Sequence, residues 1–192
     1  MKALCVFCGS STGSRPEYRA AASDLGVLLA KQRIKLVYGG GNIGLMGTVA
    51  ESCMTAGGEV LGVIPQALLD KEHGHRGITR LEVVATMHER KARMAELADG
   101  FLALPGGIGT LEELLEVLTW LQLGIHSKPV GLVNVAGFFD PLLAMLDHTL
   151  GEGFLRMKHR QLLIAADRAQ STLDQMITRI SSPEKKRSAL GI

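Results

Sequence analysis

The sequence predicts an open α/β fold in which helices cover both faces of a parallel sheet. Five short apolar runs are nearly continuous rather than alternating, which is typical of parallel strands buried on both faces. Amphipathic helical patterns lie between the runs, and glycine clusters stand where a strand should end and a helix begin. Such alternation favours right-handed crossovers, so we predict a Rossmann-like, three-layer α/β/α arrangement.

The elements follow one another in regular order along the chain. The predicted strands are Ala3–Cys8, Lys35–Tyr38, Glu59–Ile64, Gly100–Leu104 and Pro129–Val135. The predicted helices are Pro16–Gln32, Gly44–Ala56, Met87–Ala98, Thr110–Leu123, Asp140–Glu152 and Ser171–Ile180. Ser14 and Glu17 have the spacing of a capping box at the start of the first helix.

Composition indicates an ordinary globular protein. The chain has 192 residues, 46% hydrophobic and 21% charged, and this length is sufficient to bury a full core. We predict a single domain over residues 1–180 and expect residues 181–192 to form a flexible C-terminal tail. The net charge of +2 gives no indication of a nucleic-acid partner. No apolar run reaches the ~20 residues of a membrane span, so we predict no membrane partner.

The three cysteines are expected to be buried free thiols. Cys5 and Cys8 have the spacing of a redox pair or zinc site, but they lie in a strand, where positions i and i+3 face opposite sides. Free thiols predict a reducing, cytoplasmic compartment. His73 and His75 lack a clear acidic third ligand, so we predict no metal site.

Three glycine clusters follow predicted strands, at Cys8–Gly13, Gly39–Gly44 and Pro105–Thr110. The carboxyl ends of parallel strands form the ligand crevice of such a sheet, and the helix that follows presents free N–H groups to an anion. Any one cluster is also compatible with a simple tight turn. Three anion cradles on one sheet edge favour a phosphate ligand.

The second glycine cluster matches the dinucleotide fingerprint GxGxxG at Gly39, Gly41 and Gly44. That fingerprint also requires an acidic residue at the end of the next strand. The strand that ends at Ile64 has none there, and Glu59 stands at its beginning. The sequence also contains no GxxxxGK[ST] P-loop. A mononucleotide or sugar phosphate is therefore the better fit.

Two charged segments are candidates for chemistry. The helix that opens at Thr110 places Glu113 about one turn from its start. An anion held at the N-terminus would then lie ~5 Å from Glu113 along the helix axis. Its sheet-facing stripe is predicted to be Leu111, Leu114, Leu115, Leu118 and Leu121, with Glu113, Glu116 and Trp120 on another face. Alternatively, the carboxylates only complement the helix dipole.

The second charged segment is Met87–Met94. Arg90 and Lys91 fall in the first turn of a helix, where the dipole disfavours cations, so an anion is expected to compensate them. The alternative is a solvated charge run that pairs with Glu89 or Glu96.

Together these motifs resemble those of the LONELY GUY family, the cytokinin riboside 5′-monophosphate phosphoribohydrolases, often labelled lysine decarboxylases. The resemblance covers about residues 4–156. It includes the motifs VFCGS at 6–10, VYGGGxxGLMG at 37–47, MHxRK at 87–91, PGGxGTxxE at 105–113 and QLGxHxKP at 122–129. The Arg-Lys pair and the PGGxGTxxE motif are the most specific, and neither departs from the family pattern.

The resemblance implies hydrolysis of the N-glycosidic bond of adenine-type nucleoside 5′-monophosphates, cytokinin riboside 5′-monophosphate or AMP, to free base and ribose 5-phosphate. It implies that Arg90 and Glu113 are catalytic. The implied substrate-binding residues are Glu72, Arg90, Lys91, Gly107, Ile108, Gly109, Thr110, Leu111, Glu112, Glu113 and Thr119. It further implies a nucleotide-binding domain, a homodimer, and no metal or organic cofactor.

Two other functions are weighed against this one. A carrier or sensor of the same fold would bind the nucleotide without turnover, but it needs no carboxylate beneath the ribose. Amino-acid decarboxylation would require a lysine placed for a Schiff base, and none is evident in the sequence.

Overall fold

The computed structural model describes residues 1–69 and 74–181. Within these ranges the chain forms seven strands: β1 Ala3–Phe7, β2 Lys35–Tyr38, β3 Val60–Pro65, β4 Arg80–Val84, β5 Phe101–Ala103, β6 Val130–Val133 and β7 Leu163–Ala166. The α-helices of the same ranges are α1 Pro16–Lys31, α2 Gly44–Thr55, α3 Gln66–Leu69, α4 Met87–Leu97, α5 Ile108–Gln122, α6 Asp140–Gly151, α7 Met157–Arg160 and α8 Ala169–Ser181. A 3-10 turn, Val135–Gly137, follows β6.

The strands make one all-parallel sheet in the order β4-β3-β2-β1-β5-β6-β7. The chain runs outward from β1 to β4 on one side and from β5 to β7 on the other. The order therefore reverses between β1 and β5, and a crevice opens at such a switch point. The loops after these two strands touch, because the Gly9 N–H donates to the Pro105 carbonyl at 3.1 Å.

Each face of the sheet carries its own apolar core. Leu4 and Tyr38 lie in the cluster covered by α1, α2 and α8. Phe7 and Phe101 lie in the cluster on the opposite face, against α4, α5 and α6. These two cores confirm the predicted three-layer α/β/α fold.

The cysteines lie as the alternation of a strand requires. Cys5 belongs to one core cluster and Cys8 to the other. Both thiols and that of Cys53 are buried and free, which confirms the predicted buried thiols.

Two edge strands were not predicted from the sequence. In β4, Arg80 and Glu82 interrupt the apolar residues, and no residue of this strand is fully buried. In β7, only Leu163 and Ile164 are buried before two alanines follow. Strand β4 therefore lacks the continuous apolar run that marked the five central strands. Strand β7 is apolar throughout, but two of its four residues are alanines, which favour a helix over a strand.

The predicted capping box at Ser14 and Glu17 is wrong. Arg15 is the N-cap residue of α1, and no side chain caps the helix. Pro16 occupies the first helical position, which its fixed φ favours, so the helix starts one residue later than the box requires.

The stripe of α5 that faces the sheet is centred on Leu114 and Val117. Leu115 is exposed, and Trp120 packs against the core instead of standing beside Glu113. Positions 110, 114 and 117 follow helical spacing, and Leu115 lies about 100° away from Leu114. The prediction was therefore wrong for Leu115 and Trp120.

Helix α8 ends at Ser181, so the remainder of the predicted tail, 182–192, lies outside the described residues. The single domain over 1–180 stays a prediction. Of the helices in residues 1–69 and 74–181, none combines the length and apolar character needed to cross a membrane.

Candidate active site

Arg90 is buried at the carboxyl edge of the sheet, with 6% of its surface exposed. It lies in the N-terminal half of α4, and its Nη2 donates to the Gly39 carbonyl at 3.2 Å. Its Nη1 approaches the Met87 sulfur at 3.8 Å. The interpretation of this segment as a solvated charge run is therefore wrong for Arg90.

Glu113 projects from the second turn of α5 toward β1. Burial raises the pKa of the Cys5 thiol well above its usual value, the Glu113 carboxylate raises it further, and Arg90 lowers it. Burial also raises the pKa of the Cys8 thiol, again with a contribution from Glu113. Arg90 and Glu113, from two different helices, therefore both lie within electrostatic reach of the Cys5 thiol.

Lys91 joins α4 to α5. Its Nζ lies 2.6 Å from Glu112 Oε1 and 2.9 Å from Glu116 Oε1, and the lysine side chain is largely buried. The hydrogen bond to Glu112, with that to Glu116, raises the pKa of Lys91, so the amine stays protonated. The alternative interpretation, in which this segment pairs with Glu89 or Glu96, is therefore wrong for Lys91.

Those two glutamates have other roles. The Glu89 carboxylate accepts the Ala85 N–H at 2.8 Å, while the Glu89 N–H donates to the Thr86 hydroxyl, which caps α4. Glu96 pairs with Arg93 at 2.6 Å.

The loop after β5 is open toward the crevice. Gly107 is the N-cap residue of α5, and no side chain caps this helix. A Cβ at Gly107 or Gly109 would meet nothing within 4 Å, so packing does not require glycine at either position. Ile108 between them is 86% exposed. An unobstructed helix N-terminus of this kind is suited to binding an anion.

Thr110 lies at the inner side of this loop. It is buried, and a Cβ at Gly106 would overlap its hydroxyl and lie 2.8 Å from the Gly9 nitrogen. Because α5 begins at Ile108 and not at Thr110 as predicted, the Thr110 hydroxyl does not cap the helix.

The loop after β2 is closed by packing. The N–H groups of Leu45 and Met46, at the start of α2, donate to the Gly9 carbonyl at 3.0 and 3.3 Å. A Cβ at Gly44 would lie 2.5 Å from the Ser11 nitrogen. The anion cradle predicted at Gly39–Gly44 is therefore wrong, because a backbone carbonyl occupies the helix N-terminus.

A cavity of about 220 Å³ lies between the loops that follow β1 and β5. The hydroxyl residues Ser10, Ser11 and Thr12 line it together with Phe138, and Gly107 closes one side. This cavity is continuous with the N-terminus of α5. A larger cavity of about 640 Å³ lies between α1 and the start of α8. Neither Arg90 nor Glu113 lines either cavity, and only the smaller one includes a residue of the loop before α5.

The other predicted contact residues are placed differently. Thr119 is exposed, its hydroxyl donates to the Leu115 carbonyl at 2.7 Å, and helical geometry places it about 120° around the axis from Glu113. Leu111 packs against the core. Glu72 lies outside the described residues.

The histidine pair considered as a metal site is also only partly described. His73 lies outside the described residues, and the His75 N–H donates to the Gly40 carbonyl at 2.8 Å. In residues 1–69 and 74–181, no three His, Cys, Asp or Glu side chains are grouped to hold a metal ion.

The motif at 122–129 lies at the opposite, amino edge of the sheet. Lys128 Nζ donates to the Ala95 carbonyl at 2.6 Å near the end of α4, and His126 Nε2 lies 2.9 Å from the Val117 carbonyl. These residues stabilise the packing of α4 and α5, and sequence spacing alone did not separate them from the site.

Comparison with known proteins decides the family. A model of the family described as "possible lysine decarboxylase" matches residues 46–176. The chain is 51% identical over 175 residues to cytokinin riboside 5′-monophosphate phosphoribohydrolase LOG7 of Arabidopsis thaliana. The aligned residues cover 91% of this chain and 81% of that protein. The chain belongs to the LONELY GUY family. A second member, the probable phosphoribohydrolase LOGL9 of Oryza sativa subsp. japonica, is also 51% identical, over 90% of this chain and 76% of its own length.

The LONELY GUY chain shares its fold with proteins of low sequence similarity. A molybdenum cofactor binding protein from Rippkaea orientalis superposes with a TM-score of 0.71 at 21% identity, over 94% of this chain and 99% of its own. Identity this low establishes the shared fold and no more.

Proposed function

We propose that the protein hydrolyses the N-glycosidic bond of nucleoside 5′-monophosphates, with cytokinin riboside 5′-monophosphate and AMP as substrates. The products are the free base and ribose 5-phosphate. The observation that carries the proposal is the open N-terminus of α5, with Glu113 in the second turn of the same helix and Arg90 buried against the Gly39 carbonyl. The names of relatives at 51% identity support the same reaction.

In this proposal the 5′-phosphate binds the backbone N–H groups at Ile108–Thr110. The positive end of the α5 dipole favours the anion, and the missing side chains of Gly107 and Gly109 allow it to approach the backbone. Because the phosphate is remote from the reacting bond, its binding energy serves to position the sugar.

Glu113 then acts on the ribose. Cleavage of the C1′–N9 bond builds positive charge on the sugar, and a fixed carboxylate stabilises that charge. The same carboxylate orients the attacking water and takes its proton. The water oxygen bonds to C1′, the electron pair of the broken bond leaves with the base, and the base acquires a proton.

Arg90 holds the geometry of the site. An arginine guanidinium is in general too weak an acid to donate a proton to a leaving base, so the role proposed for Arg90 is to bind and orient. Arg90 keeps the nearby Glu113 ionised and contacts the nucleotide. Lys91, Glu112 and Leu111 are proposed to complete the nucleotide site, with Glu72 and Thr119 as further contacts.

The chemistry of Lys91 argues against decarboxylation. A Schiff base requires a neutral amine, whereas the contacts with Glu112 and Glu116 raise the pKa of this lysine. Lys91 is therefore suited to charge pairing and not to covalent catalysis.

We further propose a cytoplasmic homodimer. The three free thiols are typical of a reducing compartment. Large apolar side chains are exposed on α5, α6 and the segment after α6, as expected of a surface that a second copy covers. They are Ile108, Leu115, Met145, Phe154 and Met157.

The direct test is to incubate the purified protein with AMP or isopentenyladenosine 5′-monophosphate and separate the products chromatographically. Release of adenine or the modified base with ribose 5-phosphate is expected. Binding without release would favour the carrier or sensor, and consumption of lysine with release of CO₂ would favour the decarboxylase.

A nucleoside that lacks the 5′-phosphate is the matched substrate control. Its kcat/KM is expected to be at least ~100-fold lower, because it lacks the group that positions the ribose. Equal values for the two substrates would contradict the proposed role of the α5 N-terminus.

A further inference from the structure

The Arg90 guanidinium occupies the space that a side chain at position 39 would take. A Cβ built on Gly39 would overlap Nη2 of Arg90 and lie 3.1 Å from its Cζ. The next nearest atom, the sulfur of Met46, is 3.3 Å away and belongs to a flexible side chain. The Gly39 carbonyl also accepts a hydrogen bond from the same Nη2.

The backbone at Gly39 does not itself require glycine. Gly40 and Gly44 in the same loop have φ values of +80° and +62°, which L-residues rarely adopt. Gly39 has no such positive φ. The local backbone at position 39 is compatible with alanine. Glycine matters here because it has no side chain to occupy the space of the guanidinium.

The loop that carries Gly39 is held firmly from several sides. The His75 N–H donates to the Gly40 carbonyl at 2.8 Å, and Gly41 forms a bridge with Gly74. A Cβ at Gly62 would lie 2.7 Å from the Gly40 Cα, so β3 packs directly against this loop. The Gly39 carbonyl is therefore a fixed acceptor.

We propose that Gly39 is a positioning residue, which seats the Arg90 guanidinium through its carbonyl and its missing side chain. The inference rests on the proposed function, in which Arg90 acts on the nucleotide and on Glu113. A methyl group at position 39 displaces the guanidinium toward the crevice, although residue 39 itself need not touch the substrate.

A double-mutant cycle tests this role. Gly39→Ala, Arg90→Ala and the combined variant are compared with Gly151→Ala, since a Cβ at Gly151 in α6 meets nothing within 4 Å. Gly39→Ala is expected to lower kcat about 10- to 100-fold, as small displacements of positioned groups do. The combined variant is expected to be no slower than Arg90→Ala alone, and Gly151→Ala to match the wild type.

Additive losses in the cycle, or wild-type kcat in Gly39→Ala, would overturn the inference. The combined variant also covers the case in which Gly39→Ala folds poorly, because removing the guanidinium removes the overlap. Its melting temperature should then exceed that of Gly39→Ala, whereas an equal or lower value would overturn the inference.

Chemical rescue of activity by free guanidinium ion provides a second measurement. It would not distinguish the variants if Gly39 had only a structural role. Free guanidinium ion is expected to restore part of the activity of Arg90→Ala. It should restore none in the combined variant, where the methyl group at position 39 fills the space that the guanidinium occupied. Equal rescue of both variants would contradict the proposed role of Gly39.

The proposed function can fail separately. If the wild type releases no base, a crystal structure of Gly39→Ala still shows whether the guanidinium has moved. In that case a displaced guanidinium supports the positioning role of Gly39, and an unmoved guanidinium contradicts it.

Discussion

Two glycine-rich loops of this protein look alike in sequence and differ in what their glycines do. In the loop Gly39–Gly44, the Arg90 guanidinium, the Gly9 carbonyl and the backbone of Ser10 and Ser11 fill the space around the glycines. In the loop Pro105–Thr110, Gly107 and Gly109 face open space at the start of α5.

The difference separates packing from binding. A glycine that a neighbour presses against is explained by the fold, whereas an open glycine with ordinary backbone angles has no structural reason to lack a side chain. By this criterion we expect the loop Gly39–Gly44 to position Arg90 and the loop Pro105–Thr110 to bind the ligand.

The largest expected effect concerns the helix that follows the open loop. Glu113→Gln keeps the shape of the side chain and removes its charge, so kcat should fall by more than ~100-fold while nucleotide affinity is retained. Steady-state kinetics and calorimetric titration with AMP measure the two quantities. Glu51→Gln, at an exposed position of α2, serves as control. Near-normal turnover of Glu113→Gln would remove this carboxylate from the mechanism.

In the loop Gly39–Gly44, where neighbours surround the glycines, a substitution is expected to lower stability. Gly44→Ala combines a φ of +62° with a backbone contact at 2.5 Å, and should lower the free energy of unfolding by at least ~2 kcal/mol in urea denaturation. Gly57→Ala is the matched control, because Gly57 has a φ of +80° and nothing within 4 Å of a Cβ. Equal losses in the two variants would show that packing around Gly44 contributes nothing.

In the loop Pro105–Thr110, where Gly107 and Gly109 face open space, a substitution is expected to lower nucleotide affinity and not stability. Gly109→Ala should leave stability unchanged or raise it by up to ~1 kcal/mol, since alanine favours the helix. Affinity for AMP should fall about 10-fold, because the methyl group hinders the approach of the phosphate to the backbone. Gly151→Ala, also open and helical, should leave affinity unchanged; a Gly109→Ala variant with full affinity would argue against the phosphate site.

The smallest effect is expected at Lys91. Its carboxylate partners Glu112 and Glu116 are 50% and 26% exposed, so the ion pairs that join α4 to α5 contribute under ~1 kcal/mol. Lys91→Met should therefore lower the free energy of unfolding only slightly, and the difference should shrink at ~1 M salt. A salt-independent loss of several kcal/mol would indicate that burial, and not charge, dominates this contact.

The sequence was informative where one physical pattern acts alone. Continuous apolar runs identified the five inner strands, because both faces of each are buried. The edge strand β4 was missed because Arg80 and Glu82 interrupt its apolar residues. Strand β7 was missed although it is apolar throughout, because half of its residues are alanines, which favour a helix over a strand. Local spacing also indicated a helix with Glu113 one turn from its start.

The contacts between distant segments could not be read from the chain. Gly39 and Arg90 are 51 positions apart, and only the fold brings the guanidinium onto the glycine. Lys91 meets Glu112 by the packing of α4 on α5. The alternative of a local pairing with Glu89 or Glu96 holds only for Arg93, which pairs with Glu96, while the Glu89 carboxylate binds the Ala85 N–H.

The most direct measurement is a crystal structure of the Glu113→Gln variant soaked with AMP. The phosphate oxygens should lie ~3 Å from the amide nitrogens of Ile108–Thr110, with the side chain at position 113 beside C1′ of the ribose. A phosphate bound at Gly39–Gly44, or a position 113 side chain turned away from C1′, would contradict the account.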